Sequence, residues 1–204
     1  SLLVNLFNGV SPKEAKYIAR FVIGRLRLGI GDPTALEALA LSIGNRQLRP
    51  EIERAYNLCS DLGLVAKRLI EKGIEDIRKF KVQIGYPIRM ALCERLSSSE
   101  DIIEKIGEAA IEAKYDGFRV QCHKDNDKVE LFSRNLERTT HMFPEITTGM
   151  KKFIDAKKAI IEGEALAYNE GTGELFPFQV TIQRKRKHGI EELSKELPLK
   201  FFIF

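Results

Sequence analysis

The sequence predicts an α+β fold, with a helical first part followed by an antiparallel sheet with intervening helices. Three observations predict it. Capped, amphipathic segments fill the first third, the apolar spacing changes to a period of two after Ile111, and short Asp/Asn/Gly turns join the later segments. Helices grouped ahead of strands argue against alternating βαβ units. At 204 residues and 23.2 kDa, the chain has room for one large or two ordinary domains. With 44% hydrophobic and 30% charged residues, it can build a core and keep a solvated surface, which argues against wholesale disorder.

The helices come first. Ser11-Pro12-Lys13-Glu14 places a cap, a proline at the first helical position and an acid three residues after the cap. We expect this helix to stop near Gly29, with Ala15, Ile18, Val22, Ile23 and Leu26 on one side. Lys13, Lys16, Arg20 and Arg27 gather on the other, as a solvated face or as a phosphate-contacting stripe. Further helices are expected over 34–42, 51–58 and 61–71, each bounded by Gly or Pro, with another short one over 74–80. The Gly- and Pro-punctuated stretch Val82–Ile88 changes character, and a domain boundary is placed there, dividing 1–84 from 85–204. Helix returns over 97–110, with Ser98 or Ser99 as its cap.

Strands follow. Residues 111–123 and 128–132 read as a pair joined at Asp125-Asn126-Asp127. Helix is expected within 142–156, a strand over 159–168, and a hairpin turn at 169–173 into a strand at 174–178. Leu199–Phe204 reads as a strand with no turn after it. Because the first residue is Ser and the last lies inside that apolar run, a piece of a longer protein with partial activity is expected.

Composition narrows the function classes. No stretch approaches the ~18–20 apolar residues of a membrane span, and the first ten residues lack the form of a signal peptide. Cys59, Cys93 and Cys122 are odd in number and widely spaced, which fits a reducing, intracellular setting better than a disulfide framework. Lys plus Arg number 33 against 29 Asp plus Glu, a net +4, so the location of the charge matters more than its sum. His123, His141 and His188 have no mutual ligand spacing, and packing or surface roles are expected for them.

The chemistry concentrates in Glu112-Ala113-Lys114-Tyr115-Asp116-Gly117-Phe118-Arg119. A lysine on a strand end above an Asp-Gly turn is held rigidly, and on a strand Glu112 would face the same way. Such an amine is a nucleophile only when neutral; burial and a neighbouring Arg119 would favour that form, while Asp116 would take its proton or orient it. Gly117 suits a place where a Cβ would obstruct the backbone or a ligand. Four residues of the form K-x-D-G also occur by chance on strand ends. Two further strings join them: Phe132-Ser133-Arg134-Asn135-Leu136-Glu137-Arg138-Thr139, and Ile160-Ile161-Glu162-Gly163-Glu164-Ala165.

Together the three strings resemble the covalent nucleotidyltransferase superfamily, most closely ATP-dependent DNA ligases of the archaeal and eukaryotic replicative type. The likeness runs through the whole chain. Residues 1–84 resemble the end of that family's helical DNA-binding domain, and Gly85–Met90 resembles its join to a truncated adenylation domain over 85–204. The resemblance implies that Lys114 attacks the α-phosphate of ATP to form lysyl-AMP. Glu112 would meet the adenine amino group, Arg119 and Arg134 the ribose and phosphates, and Glu164 the ribose or Mg²⁺. Phe204 falls where the family stacks an aromatic on adenine. AMP would then pass to the 5′-phosphate of nicked duplex DNA, and the 3′-hydroxyl would displace it.

Each role has a second reading. Arg134, or Asn135 beside it, could serve to cap a turn; Glu162 shares a strand face with Glu164 and could be a neighbouring charge; Phe204 could be core. The dense basic run Gln183–His188 leads to the expectation that Arg184, Lys185 and Arg186 contact the DNA backbone. A sliding clamp would bind, if at all, through regions outside this chain. Family motifs expected beyond Phe204 are lacking, which implies little strand sealing by the chain alone and weak self-adenylation. Two rival readings are a DNA-gripping module without chemistry of its own, and a related RNA ligase or capping guanylyltransferase. The helical third ahead of Lys114 disfavours the second.

Overall fold

The structure is a computed structural model, and it describes residues 2–24, 29–184 and 189–204. Residues 1–53 and 54–204 form two compact units. The first holds α1 (Leu2–Asn8), α2 (Pro12–Val22) and α3 (Asp32–Ser42), with a 3-10 turn at Arg46–Leu48 packed on α3. The capping box at Ser11 forms as expected: the Glu14 amide donates to Ser11 Oγ and the Ser11 amide to Glu14 Oε2 at 2.9 Å. The helix stops earlier than expected. Ile23 is its C-cap and the chain turns left-handed at Gly24 (φ +68°), so Gly29 is not its end. Leu26 and Arg27, assigned above to the two faces of α2, lie outside the described residues. Helix α1 was not anticipated.

Helix α4 (Arg49–Cys59) crosses from one unit to the next, followed by α5 (Leu62–Lys72), capped by Asp61, and α6 (Ile74–Arg78). Ala55, Val65, Leu69, Ile77 and Phe80 are buried here. A strap without regular structure, residues 82–90, runs from these helices toward the sheet, and helix α7 (Ser99–Ile106) follows, capped by Ser98.

The sheet has four antiparallel strands in the order β2-β1-β3-β4: β1 (Phe118–Asp125), β2 (Lys128–Ser133), β3 (Lys158–Ala167) and β4 (Leu199–Ile203). The β1–β2 turn forms at Asn126-Asp127, with Asn126 left-handed at φ +53°. Phe118, Val120, Cys122, Val129, Leu131 and Ala165 line one face and pack against Phe143, Ile146 and Met150, the last two from α8 (Pro144–Phe153). Burial at this depth raises the Cys122 thiol to about 12, so it is an inert core residue.

Two expectations need correction. Residues 111–117 are not strand. Ile111 is 98% exposed, and β1 pairs with β3 only from Phe118 onward. Residues 174–178 are not a strand either: one bridge, Tyr168 to Leu175, is followed by the short helix α9 (Phe178–Thr181). Helix α10 (Ile190–Glu196) was not foreseen.

The compact units divide at 53/54, and the expected domain boundary at 84/85 falls inside the strap. The strap is tied to the helix side and the sheet side in alternation. Ser60 Oγ donates to the Pro87 carbonyl, the Arg89 amide to the Asn57 carbonyl at 2.9 Å, and Arg89 Nη1 to Tyr56 Oη at 2.6 Å. On the sheet side, the Gly85 amide donates to His123 Nδ1 and the Ile88 amide to Gln121 Oε1.

Candidate nucleotide site

Strand alternation puts a second set of side chains on the other face of the sheet: Arg119, Gln121 and His123 from β1, Glu130 and Phe132 from β2, Glu162 and Glu164 from β3, and Phe202 from β4. Phe204 follows β4 on the same side, its amide donating to the Glu162 carbonyl at 3.0 Å. At one end of this face lies a cavity of about 410 Å³. Lys114, Arg119, Arg134 and Glu164 all line it, together with Met90–Cys93, Gly117, Ser133, Asn135, Phe178 and Ile182.

Lys114 therefore reaches the cavity from a loop and not from a strand end. The loop is fixed by its neighbours. The Tyr115 ring stacks on Phe202 with centroids 4.3 Å apart, and Asp116 Oδ2 accepts the Phe178 amide at 3.4 Å. Asp116 is thus tied to the start of α9, in keeping with an orienting role. Gly117 lies so close under β3 that a Cβ would stand 2.5 Å from the Ala165 carbonyl oxygen. Only glycine allows that approach.

Arg119 donates from Nη2 to Glu162 Oε2 at 2.8 Å, and its guanidinium carbon stands 5.3 Å from the centre of the Phe204 ring. Its Nε is buried with no hydrogen-bond partner among the described residues. Glu162 is thus the neighbouring charge that holds Arg119, and Glu164 is the carboxylate that faces the cavity. Burial raises the Glu164 pKa above the usual carboxylate value, while nearby Lys114 and Arg119 pull the other way. The turn after β2 is closed by Ser133, whose Oγ accepts the Asn135 and Glu137 amides. The Arg134 and Asn135 side chains are left to the cavity.

Two expected residues stand apart. Glu112 is exposed and does not line the cavity, because the segment carrying it is not strand. Phe204 is 60% exposed in this chain and meets the site through Arg119.

Among the basic run, Arg184 is corrected. It is 1% exposed and donates from Nη2 to Glu145 Oε1 at 2.5 Å and to the Met142 carbonyl, so it faces the interior and not DNA. The helical turn that follows α9 rotates it inward. Lys185 and Arg186 lie outside the described residues.

Sequence reasoning did not find the Met90–Cys93 wall, nor Phe178 and Ile182, since apolar residues in irregular segments carry no period. It placed His123 in a packing role, and the ring does sit buried with its edge on Phe132. Its polar contacts had no signal.

Comparison with known proteins decides the family. A model described as the ATP dependent DNA ligase domain matches residues 90–204, and one described as the DNA ligase N terminus matches residues 1–40. The chain belongs to the ATP-dependent DNA ligase family. It is 52% identical over 203 residues to a probable DNA ligase of Dictyoglomus turgidum, covering 99% of this chain and 35% of the relative. It is 50% identical over 205 residues to a DNA ligase of Staphylothermus marinus, covering 100% of this chain and 34% of the relative. The chain thus spans about a third of the length of these ligases. A solved mycobacterial DNA ligase D complexed with ATP and MES aligns with 46% of this chain and 27% of its own, at 22% identity and a TM-score of 0.34. Among the described residues, no helix of this ligase-family chain is long and apolar enough to cross a membrane.

Proposed function

We propose that residues 85–204 carry the nucleotide chemistry of an ATP-dependent DNA ligase and that the helices before them grip nicked duplex DNA. The observation that carries this reading is the convergence of Lys114, Arg119, Arg134 and Glu164 on one cavity, inside the stretch matched by the ligase-domain model.

In this reading the Lys114 Nζ, once unprotonated, attacks the α-phosphorus of ATP. A nitrogen–phosphorus bond forms, the bond to the bridging oxygen breaks, and pyrophosphate leaves, with AMP held as a phosphoramidate. Tyr115 and Asp116 keep the loop in place, so that the amine waits at one position rather than sampling many. The Arg119 and Arg134 guanidinium groups meet the ribose hydroxyls and phosphate oxygens. Phe204 lies beside Arg119 at the place for adenine, and Glu112 reaches that end of the nucleotide only if its segment folds inward. AMP passes from Lys114 to the 5′-phosphate of the nick, and the 3′-hydroxyl then displaces it.

Glu164 is a hard oxygen donor in the cavity and fits Mg²⁺, which is commonly held by one or two carboxylates plus substrate phosphates. When bound there, Mg²⁺ supplies positive charge against the phosphates. Lys185 and Arg186 remain our assignment for the DNA backbone.

The test is incubation of the chain with ATP labelled at the α-phosphate and Mg²⁺. A slowly formed, acid-labile label should map to Lys114 and vanish in Lys114→Ala. Label on another residue, or none, would overturn the reading.

A further inference from the structure

The strap and the cavity share one set of hydrogen bonds. Gln121 is 2% exposed and His123 is 1% exposed, both on the sheet face that carries the site. His123 Nδ1 accepts the Gly85 amide at 2.9 Å, so the neutral ring must carry its proton on Nε2, which stands 2.9 Å from Gln121 Oε1. The same Gln121 oxygen accepts the Ile88 amide at 2.7 Å. Its nitrogen donates to the Ile88 carbonyl at 3.3 Å and to Glu162 Oε1 at 3.2 Å. Both amide hydrogens and both lone pairs of Gln121 are therefore in use. The other Glu162 oxygen holds Arg119.

The strap enters this arrangement at Gly85, where φ is +87°. It leaves at Ile88, two residues before Met90, and Met90–Cys93 form a wall of the cavity. A line of polar contacts thus runs from the strap, through His123, Gln121 and Glu162, to the guanidinium of Arg119, a residue that lines the cavity. A buried amide and imidazole would be costly on a face that only needed covering, since apolar side chains do that without partners.

We propose that Gln121 and His123 are positioning residues for the nucleotide: they fix the strap that becomes the cavity wall and, through Glu162, set the Arg119 guanidinium. The proposal rests on the nucleotide reading given above. Gln121 acts on both sides at once, so its loss loosens the wall and frees Glu162 to turn Arg119 away. His123 acts through the strap and by holding the Gln121 oxygen.

The test joins amide exchange of the ATP-free chain with calorimetric titration of Mg·ATP. Gln121→Met keeps the volume and removes every hydrogen bond. It should speed exchange at Ile88 at least about tenfold, leave the amides shared by β1, β2 and β3 protected, and weaken ATP binding about tenfold. His123→Leu should speed exchange at Gly85 and weaken ATP to a similar degree. His123→Asn presents an oxygen close to the place of Nδ1 and should restore both within about threefold. A purely structural role would loosen sheet and strap together and would show no rescue. If Gln121→Met frees the strap while ATP binds as before, the coupling is wrong and the nucleotide reading stands. If the unsubstituted chain binds no ATP, that reading falls and takes the coupling with it. Should both Gln121→Met and His123→Leu lose protection across the whole sheet, the role is general folding and the proposal fails.

Discussion

The two faces of the sheet are made by the same strands and obey opposite rules. On one, Val120, Cys122, Leu131 and Ala165 are fully buried among apolar neighbours, and burial of nonpolar area stabilises them without any need for direction. On the other, Gln121 and His123 are buried to the same extent but are polar, and each needs a named partner at a set distance. The first face tolerates exchange of one apolar shape for another. The second tolerates little, because a lost partner leaves a buried group unsatisfied. Apolar burial is concentrated on the first, and the sheet residues of the proposed nucleotide site lie on the second.

That contrast can be broken most sharply at Lys114. The side chain sits on an exposed loop, so Lys114→Ala should leave the unfolding midpoint unchanged while label transfer falls by at least about 10⁴-fold. A large loss of stability in this variant would mean that the loop supports the fold.

On the apolar face the expectation is reversed. Leu131→Ala opens a cavity at a fully buried position and should cost about 2–5 kcal/mol in urea unfolding. Any effect on ATP binding should follow only from the fraction unfolded.

Arg184 shows what happens when a charge is placed on the core side. Arg184→Ala strands the partly buried Glu145 and should cost about 3–5 kcal/mol. Replacing both, as Arg184→Met with Glu145→Leu, should recover most of it. Full stability in the single variant would show that the pair contributes little.

The polar face should also reveal itself through pH. Burial lowers the His123 pKa to about 4, against an ordinary value of 6.5, with Glu130 pulling it the other way. The unfolded chain therefore takes up a proton that the folded one refuses. Stability is complete above about pH 6.5 and declines as pH falls toward 4, by up to about 3 kcal/mol. Unfolding curves across that range should show the decline, and His123→Asn should flatten it. The exposed pair of Lys105 with Glu94 marks the low end, and its removal should cost below about 1 kcal/mol.

The sequence was legible where one residue type carries its own geometry. The Ser11 cap, the Asn126 turn and the alternation of β1 through β3 announced themselves, and four of the cavity residues followed from three short strings. Phe204 was legible as a position, though its exposure was not. What stayed hidden depended on partners far along the chain. Residues 111–117 look like strand, but the backbone groups of Ala167 at the end of β3 go to Thr181 Oγ1 and the Phe176 amide instead. Arg184 looks like part of a basic surface until Glu145, thirty-nine residues earlier, is seen to receive it. Gln121 alternates as a solvent-facing polar residue would, and only the strap that covers it gives its burial a reason.

The most direct measurement is a structure of the chain with ATP and Mg²⁺ bound. The account predicts the nucleotide in the cavity, the α-phosphorus roughly 3–3.5 Å from Lys114 Nζ, a phosphate or ribose oxygen on the Arg119 guanidinium, and adenine beside Phe204. A nucleotide bound elsewhere, or a Lys114 amine turned out to solvent in its presence, would contradict it.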